Sequence, residues 1–207
     1  MFEIIKSGGW MMWPIIACSV VAMAIIVERF WILRAQRIMP PHLVSHVWSL
    51  YRKNQFDSAQ LRGLRNGSPL GAVLASALAS FSQGREAMKE SVEQTGRQVV
   101  HDLERYLNTL GTIASVSPYL GLLGSVLGMI KVFSTFSMVG GIGNTSRLAG
   151  GISEILVATA AGLAVAIPSL IFYRYFQGRV IDYTIRMEEE AIRLIDALQA
   201  SREEDHG

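Results

Sequence analysis

The sequence predicts an all-α integral membrane protein with three transmembrane helices, N-terminus outside and C-terminus inside, and long helices that extend into a cytoplasmic helical domain. Three observations carry that expectation. Half of the 207 residues are hydrophobic, which is high for a soluble domain. Three runs, at 10–30, 106–135 and 148–175, are nearly free of charge, and about 20 apolar residues at 1.5 Å each cross the hydrocarbon core of a bilayer. Basic residues gather where those runs end, as they do on cytoplasmic flanks.

The composition also excludes several functions. The formal charge is only +2, and Lys and Arg are spread along the chain rather than clustered on one face, so nucleic acid is not an expected partner. The lone Cys18 lies in an apolar run and reads as an inert buried thiol. His42, His46, His101 and His206 have no metal-ligand spacing to one another or to cysteine. No nucleophile and base, metal cluster or phosphate loop appears, so neither an enzyme nor a cofactor is expected.

Residues 1–9 read as a short amphipathic segment on the periplasmic membrane surface, with Gly8 and Gly9 as a joint. The first span, 10–30, has an uncharged stretch at 10–27. A secretory signal is the competing reading, because Ala22-Met23-Ala24 resembles a cleavage site. A retained helix is favoured, since the apolar run continues to Val27 and Arg29, Arg34 and Arg37 follow it. Those arginines place the N-terminus outside, with Trp10 and Trp13 at the outer interface and Trp31 at the inner one. Glu28 reads as a hydrated interface charge.

Residues 31–105 are polar and read as a cytoplasmic set of helices. After Pro40-Pro41, Leu43, Val44, Val47, Trp48 and Tyr51 form one stripe, with Asn54 near its end. A short helical turn covers 58–64 and Asn66-Gly67 breaks the chain. Ser68-Pro69 is a helix start, a capping hydroxyl followed by proline in the first turn, and apolar positions from Leu70 to Phe81 then repeat at helical spacing to Gly84. A longer helix follows, with Met88, Val92, Thr95, Val99, Leu103, Tyr106 and Leu110 advancing by threes and fours. No helix breaker separates it from the next apolar run, so it is expected to run unbroken into the second span.

The second span, 106–135, passes outward. Ser117, Gly121, Gly124 and Gly128 share a face with almost no side chain, the pattern that lets membrane helices approach closely. Pro118 is a candidate kink. Ser125 borders that face, where a serine bonds either its own helix backbone or a polar path. Lys131 can snorkel to the outer interface. Residues 136–147 form a short periplasmic link through Gly140-Gly141, Gly143 and Asn144. The third span, 148–175, returns inward, and Tyr173, Arg174, Tyr175 and Arg179 mark its inner end. Ala158, Ala161 and Gly162 keep it slim for packing, and Pro168 is a second candidate kink. Residues 176–207 continue as a cytoplasmic helix, striped by Val180, Thr184, Met187, Ala191, Leu194 and Leu198, that can pack antiparallel on the helix before the second span; it frays after Ser201.

One residue in the third span demands a function. Glu154 lies about 10 Å from Arg147 and about 30 Å from Arg174 along the axis, in the outer half of the span. A charge in hydrocarbon costs on the order of 3 kcal/mol even on the most forgiving scale, so such an acid faces a protein interior or a wet cavity. Desolvation disfavours the ionised form of a carboxyl, and a membrane acid that alternates between neutral and charged is a candidate proton carrier. Thr159 adjoins its face at one side, about 140° around the helix.

Two stretches, SPYLGLLGSVLGMIKVF in the second span and GGISEILVATAAGLAVAIPS in the third, resemble the signature of the MotA/TolQ/ExbB proton-channel family. The N-terminal SGGWMMWPIIACSVVAMAIIVERFWIL is similar to its ExbB branch, so the likeness covers all three spans in order. The resemblance implies a ring, a pentamer in the usual description, in the bacterial inner membrane around helices of a single-span ExbD-type partner that carry an aspartate. Proton movement through such a complex energises a TonB-type protein, which opens outer-membrane receptors. It also implies a proton pathway of Glu154, Thr159 and Ser125, the last standing where many relatives have threonine. Gly150 replaces a proline common before the GI.E motif and leaves the start of the third span less rigid. A TolQ-type stator of the Tol-Pal system is the nearest alternative; a flagellar MotA stator has four spans; a passive scaffold in which Glu154 only fixes packing belongs to a different class.

Overall fold

The structure, a computed structural model, describes residues 9–52, 58–138 and 145–204. The amphipathic start, Asn54 and the glycine-rich link between the second and third spans lie outside the described residues. All regular elements are helical: α1 Met12–Ile32, α2 Ala35–Ile38, α3 Leu43–Arg52, α4 Ser58–Gly67, α5 Pro69–Ala79, α6 Arg85–Leu103, α7 Leu107–Met138 and α8 Thr145–Glu204. A 3₁₀ turn at Phe81–Gln83 joins α5 to α6. No strand occurs among the described residues. Three helices are long and apolar enough to cross a membrane: α1, α7 over Leu107–Ser134 and α8.

The chain divides into two compact units, one of residues up to Glu28 with Tyr106–Tyr175, the other of Arg29–Arg105 with the residues from Phe176 onward. In the first unit, α7 and α8 lie antiparallel and backbone-close. Both helices run through their prolines, Pro118 and Pro168. The lost N–H is tolerated in apolar surroundings where neighbouring side chains can answer the freed carbonyls. Met12, Ile15, Leu110, Ile113, Ala158 and Ala166 are buried, whereas Val20, Leu122, Val126, Ile130, Leu156 and Ile167 are exposed. A broad apolar exterior of this kind suits lipid or further membrane helices and is foreign to a solvated surface.

The second unit is built on α5. Ser68 caps it by accepting from the Gly71 N–H at 3.0 Å, and Pro69 occupies the first turn, where its missing N–H costs nothing. Leu70, Val73, Leu74, Ala77 and Leu78 are all buried, and α5 packs on both α4 and α6. The C-terminal part of α8 buries Phe176, Val180, Tyr183, Met187, Ala191, Leu194 and Leu198. Arg85 at the start of α6 meets Asp196 near the end of α8 at 2.7 Å, the register of an antiparallel pair. The Tyr183 hydroxyl donates to Leu33 O at 3.0 Å, and Phe30 meets Phe176 edge-on with centroids 5.0 Å apart.

Several elements depart from expectation. The helix expected to run unbroken from Met88 to Leu110 stops at Leu103, and a turn at 104–106 separates α6 from α7. The Leu103 carbonyl, which a continuing helix would give to the Leu107 N–H, accepts instead from the buried Arg29 guanidinium at 3.1 Å, so a long-range cap ends the helix. Tyr106 then takes φ 62°, a left-handed conformation rare for a bulky residue. Helix α4 extends past Leu64 through Asn66-Gly67, and the break falls at Ser68. The 3₁₀ turn ends α5 before Phe81, and α2 is an additional short helix. On α8, Tyr183 rather than Thr184 lies buried, and the Thr184 hydroxyl donates to Val180 O at 2.9 Å. The helix continues beyond Ser201 to Glu204.

Candidate functional site

Glycine sets the distance between α7 and α8. A Cβ on Gly121 would stand 2.9 Å from Ala158 O and 3.3 Å from Gly162 Cα. One on Gly162 would stand 2.6 Å from Ser117 O and 3.0 Å from Gly121 Cα. The nearest atoms are backbone, so no rotamer change could make room. Gly124 faces Ala158 Cβ at 3.0 Å and Met11 Cβ at 3.2 Å, and Gly128 faces Ile155 Cγ1 at 2.7 Å. Small-residue faces of this kind replace the hydrophobic drive that helices lack in lipid. Ala161 lies half-buried on the adjoining side.

That closeness brings together two hydroxyls 34 residues apart. Ser125 Oγ and Thr159 Oγ1 are hydrogen-bonded to each other. Ser125 Oγ also lies 3.1 Å from Gly121 O and 3.0 Å from Ile155 O, and Thr159 Oγ1 lies 3.2 Å from Ile155 O. Two hydroxyl protons therefore face one another and two carbonyls, more acceptors than donors. A hydroxyl donates and accepts at once, so this cluster can hold alternative proton arrangements. Ser125 bonds its own helix backbone and also reaches across to α8. Deeper along the same contact, Ser117 is fully buried and its Oγ has no hydrogen-bond partner among the described residues.

Glu154 precedes Thr159 by five residues on α8, about 7.5 Å along the axis. Its side chain is 24% exposed, and Oε2 lies 3.3 Å from Lys131 Nζ on α7. The backbone of Gly9 comes so close that a Cβ there would overlap Glu154 Oε1. Gly9 has φ +71°, so glycine is favoured there on both counts. The carboxylate thus lies between the backbone of Gly9 and the Lys131 ammonium on α7. No hydrogen bond joins it to the hydroxyl pair, and no group of three or more metal-ligating side chains occurs among the described residues.

Sequence reasoning singled out Glu154, Ser125 and Thr159 and expected Lys131 to snorkel to the outer interface, without pairing it with the acid. The signal was present. Once Gly121 is set against 158–162, stepping toward the end of α7 and the start of α8 brings Lys131 within a turn of Glu154. Gly9 carried no such signal, because a flexible joint and a close approach to a carboxylate look alike in one dimension.

Residues 65–189, which include Ser125, Lys131, Glu154 and Thr159, match the MotA/TolQ/ExbB proton channel family. The chain is 30% identical over 185 residues to a putative biopolymer transport protein ExbB-like 3 of Synechocystis sp., a match covering 89% of this chain and 88% of that one. It is 44% identical over 85 residues to the biopolymer transport protein ExbB of Aquifex aeolicus, covering 40% of this chain and 55% of the relative. With the ExbB of Salmonella typhimurium it shares 32% identity over 122 residues, covering 56% and 50% of the two chains. Three membrane-length helices, an acid in the third and a family match over most of the chain lead to one assignment: the protein is a multi-pass membrane protein that belongs to the MotA/TolQ/ExbB proton channel family, on its ExbB side.

Proposed function

We propose that this chain is the ExbB-type proton-channel subunit of an inner-membrane complex that uses the proton gradient to energise TonB-dependent outer-membrane transport. The observation that carries the reading is the half-buried Glu154 carboxylate on the same helix contact as the Ser125–Thr159 hydroxyl pair. In this reading residues 1–9 and 136–147 are periplasmic, and 31–105 with 176–207 are cytoplasmic. Several copies, five by resemblance, surround single-span helices of an ExbD-type partner that carries an aspartate.

Glu154 takes and releases the proton in this scheme, and Lys131 serves as its resting counter-ion. When the carboxyl is neutral the ion pair is lost, which changes how the ring and the enclosed helices prefer to sit. The hydroxyl pair continues the polar surface inward, and relative motion of ring and core is passed to the TonB-type protein. The test is proton flux in vesicles containing the chain with its copurified partner. Glu154→Gln is expected to abolish flux while the complex stays assembled; flux that persists in an assembled complex removes Glu154 from the mechanism. The identity of that partner, ExbD-type or TolR-type, assigns the branch.

A further inference from the structure

A cavity of about 250 Å³ opens between α4, α5 and α6 in the second unit, away from Glu154 and its neighbours in sequence and in unit. Arg62 and Arg65 come from α4, Ser80 from the end of α5, and Ser91, Gln94 and Thr95 from α6; no acidic side chain lines it among the described residues. Of the four acids of α6, Glu86 pairs with Lys89 at 3.3 Å and Glu93 with Arg97 at 3.5 Å, both on the same helix, while Glu90 and Asp102 make no ion pair among the described residues. Arg65 makes no ion pair among the described residues, and neither Gln94 nor Thr95 makes a side-chain hydrogen bond there.

Exposed guanidiniums and a buried hydroxyl share the wall. Ser80 is 8% exposed, and its Oγ is paired with Ser91 Oγ at 2.6 Å. That bond uses one of the two hydroxyl protons and leaves the other to donate outward. Guanidinium forks match the oxygens of phosphate in pairs, and bonds from a cation to an ionised oxygen are about twice as strong as neutral ones. Drug-sized ligands occupy pockets of roughly 300–1,000 Å³, so this smaller space suits a compact anion with some of its water. We propose that the α4–α5–α6 cavity binds a phosphate group, either free inorganic phosphate or the phosphate of an anionic lipid headgroup.

The two sources separate in one experiment on the full chain with its copurified partner, reconstituted in phosphatidylcholine nanodiscs. Inorganic phosphate is titrated at constant ionic strength and followed by phosphorus NMR line broadening. Saturable broadening that Arg65→Gln weakens by about tenfold or more, and that Arg65→Lys partly restores, supports the site and identifies free phosphate as able to fill it. The titration is repeated with phosphatidylglycerol in the disc. Loss of phosphate broadening there, with phosphatidylglycerol retained on wild-type protein but not on Arg65→Gln after detergent extraction, also supports the site and assigns the headgroup as occupant. Binding of neither probe, or binding indifferent to Arg65→Gln in a variant that melts like wild type, overturns the proposal. None of these readouts depends on proton flux, so failure here leaves the role of Glu154 untouched.

Discussion

Gly162→Ala adds one methyl group at the point where α7 and α8 are closest, and the structure gives the size of the effect. The new Cβ would lie 2.6 Å from Ser117 O, 3.0 Å from Gly121 Cα and 3.1 Å from Gly121 N. Ordinary contact begins near 3.4 Å, so the worst pair must move apart by about 0.8 Å, and all three atoms belong to backbone. Overpacking of that kind costs about 1–3 kcal/mol, against which alanine regains up to about 1 kcal/mol of helix preference over glycine. The net expectation is a loss of up to about 3 kcal/mol. Gly96→Ala and Gly178→Ala provide the controls, since nothing lies within 4 Å of either added Cβ; these should be neutral or stabilising by up to about 1 kcal/mol. Unfolding of the purified protein in detergent, followed by tryptophan fluorescence, ranks the three. Separating the helices also pulls Ser125 from Thr159, so Gly162→Ala should lower proton flux more than either control does. If Gly162→Ala proves as stable as Gly96→Ala, the two helices do not meet through their backbones and the argument for the hydroxyl pair fails with it.

Two further predictions concern the ends of helices. Ser68→Ala removes the hydroxyl that accepts from Gly71 N and should cost about 1 kcal/mol; Ser68→Asp, which can still cap, should restore most of it in the same unfolding assay. Tyr106 at φ 62° should be replaced more readily by Gly, which adopts that region freely, than by Val, whose branched Cβ resists it, with a difference on the order of 1–2 kcal/mol. Equal melting of the glycine and valine variants would show that the turn at 104–106 is not held in that conformation.

Much of the architecture was legible from local chemistry. Ser68-Pro69 announces its helix because both residues act on groups within four positions of themselves. Glu154 stands out because any carboxyl in an apolar run is costly wherever the run packs. The stripe from Leu70 to Leu78 predicts burial by periodicity alone. The unbroken helix from Met88 to Leu110 was misjudged for the opposite reason. No glycine or proline marks the stop; Arg29, 74 residues away in sequence from Leu103, takes the carbonyl that would have carried the helix onward. Pairings of this range leave no trace in local propensity.

The sequence by itself determined that the chain is helical and membrane-borne, that its second and third spans offer small faces, and that one acid lies among them. Length, apolarity and residue volume suffice for those conclusions, because each is a property of a single segment in a known solvent. Which carbonyl ends α6, which cation answers Glu154, and that Ser125 and Thr159 share a hydrogen bond were decided only by tertiary structure. Those depend on the register between two helices, and register is fixed by the summed fit of many backbone contacts.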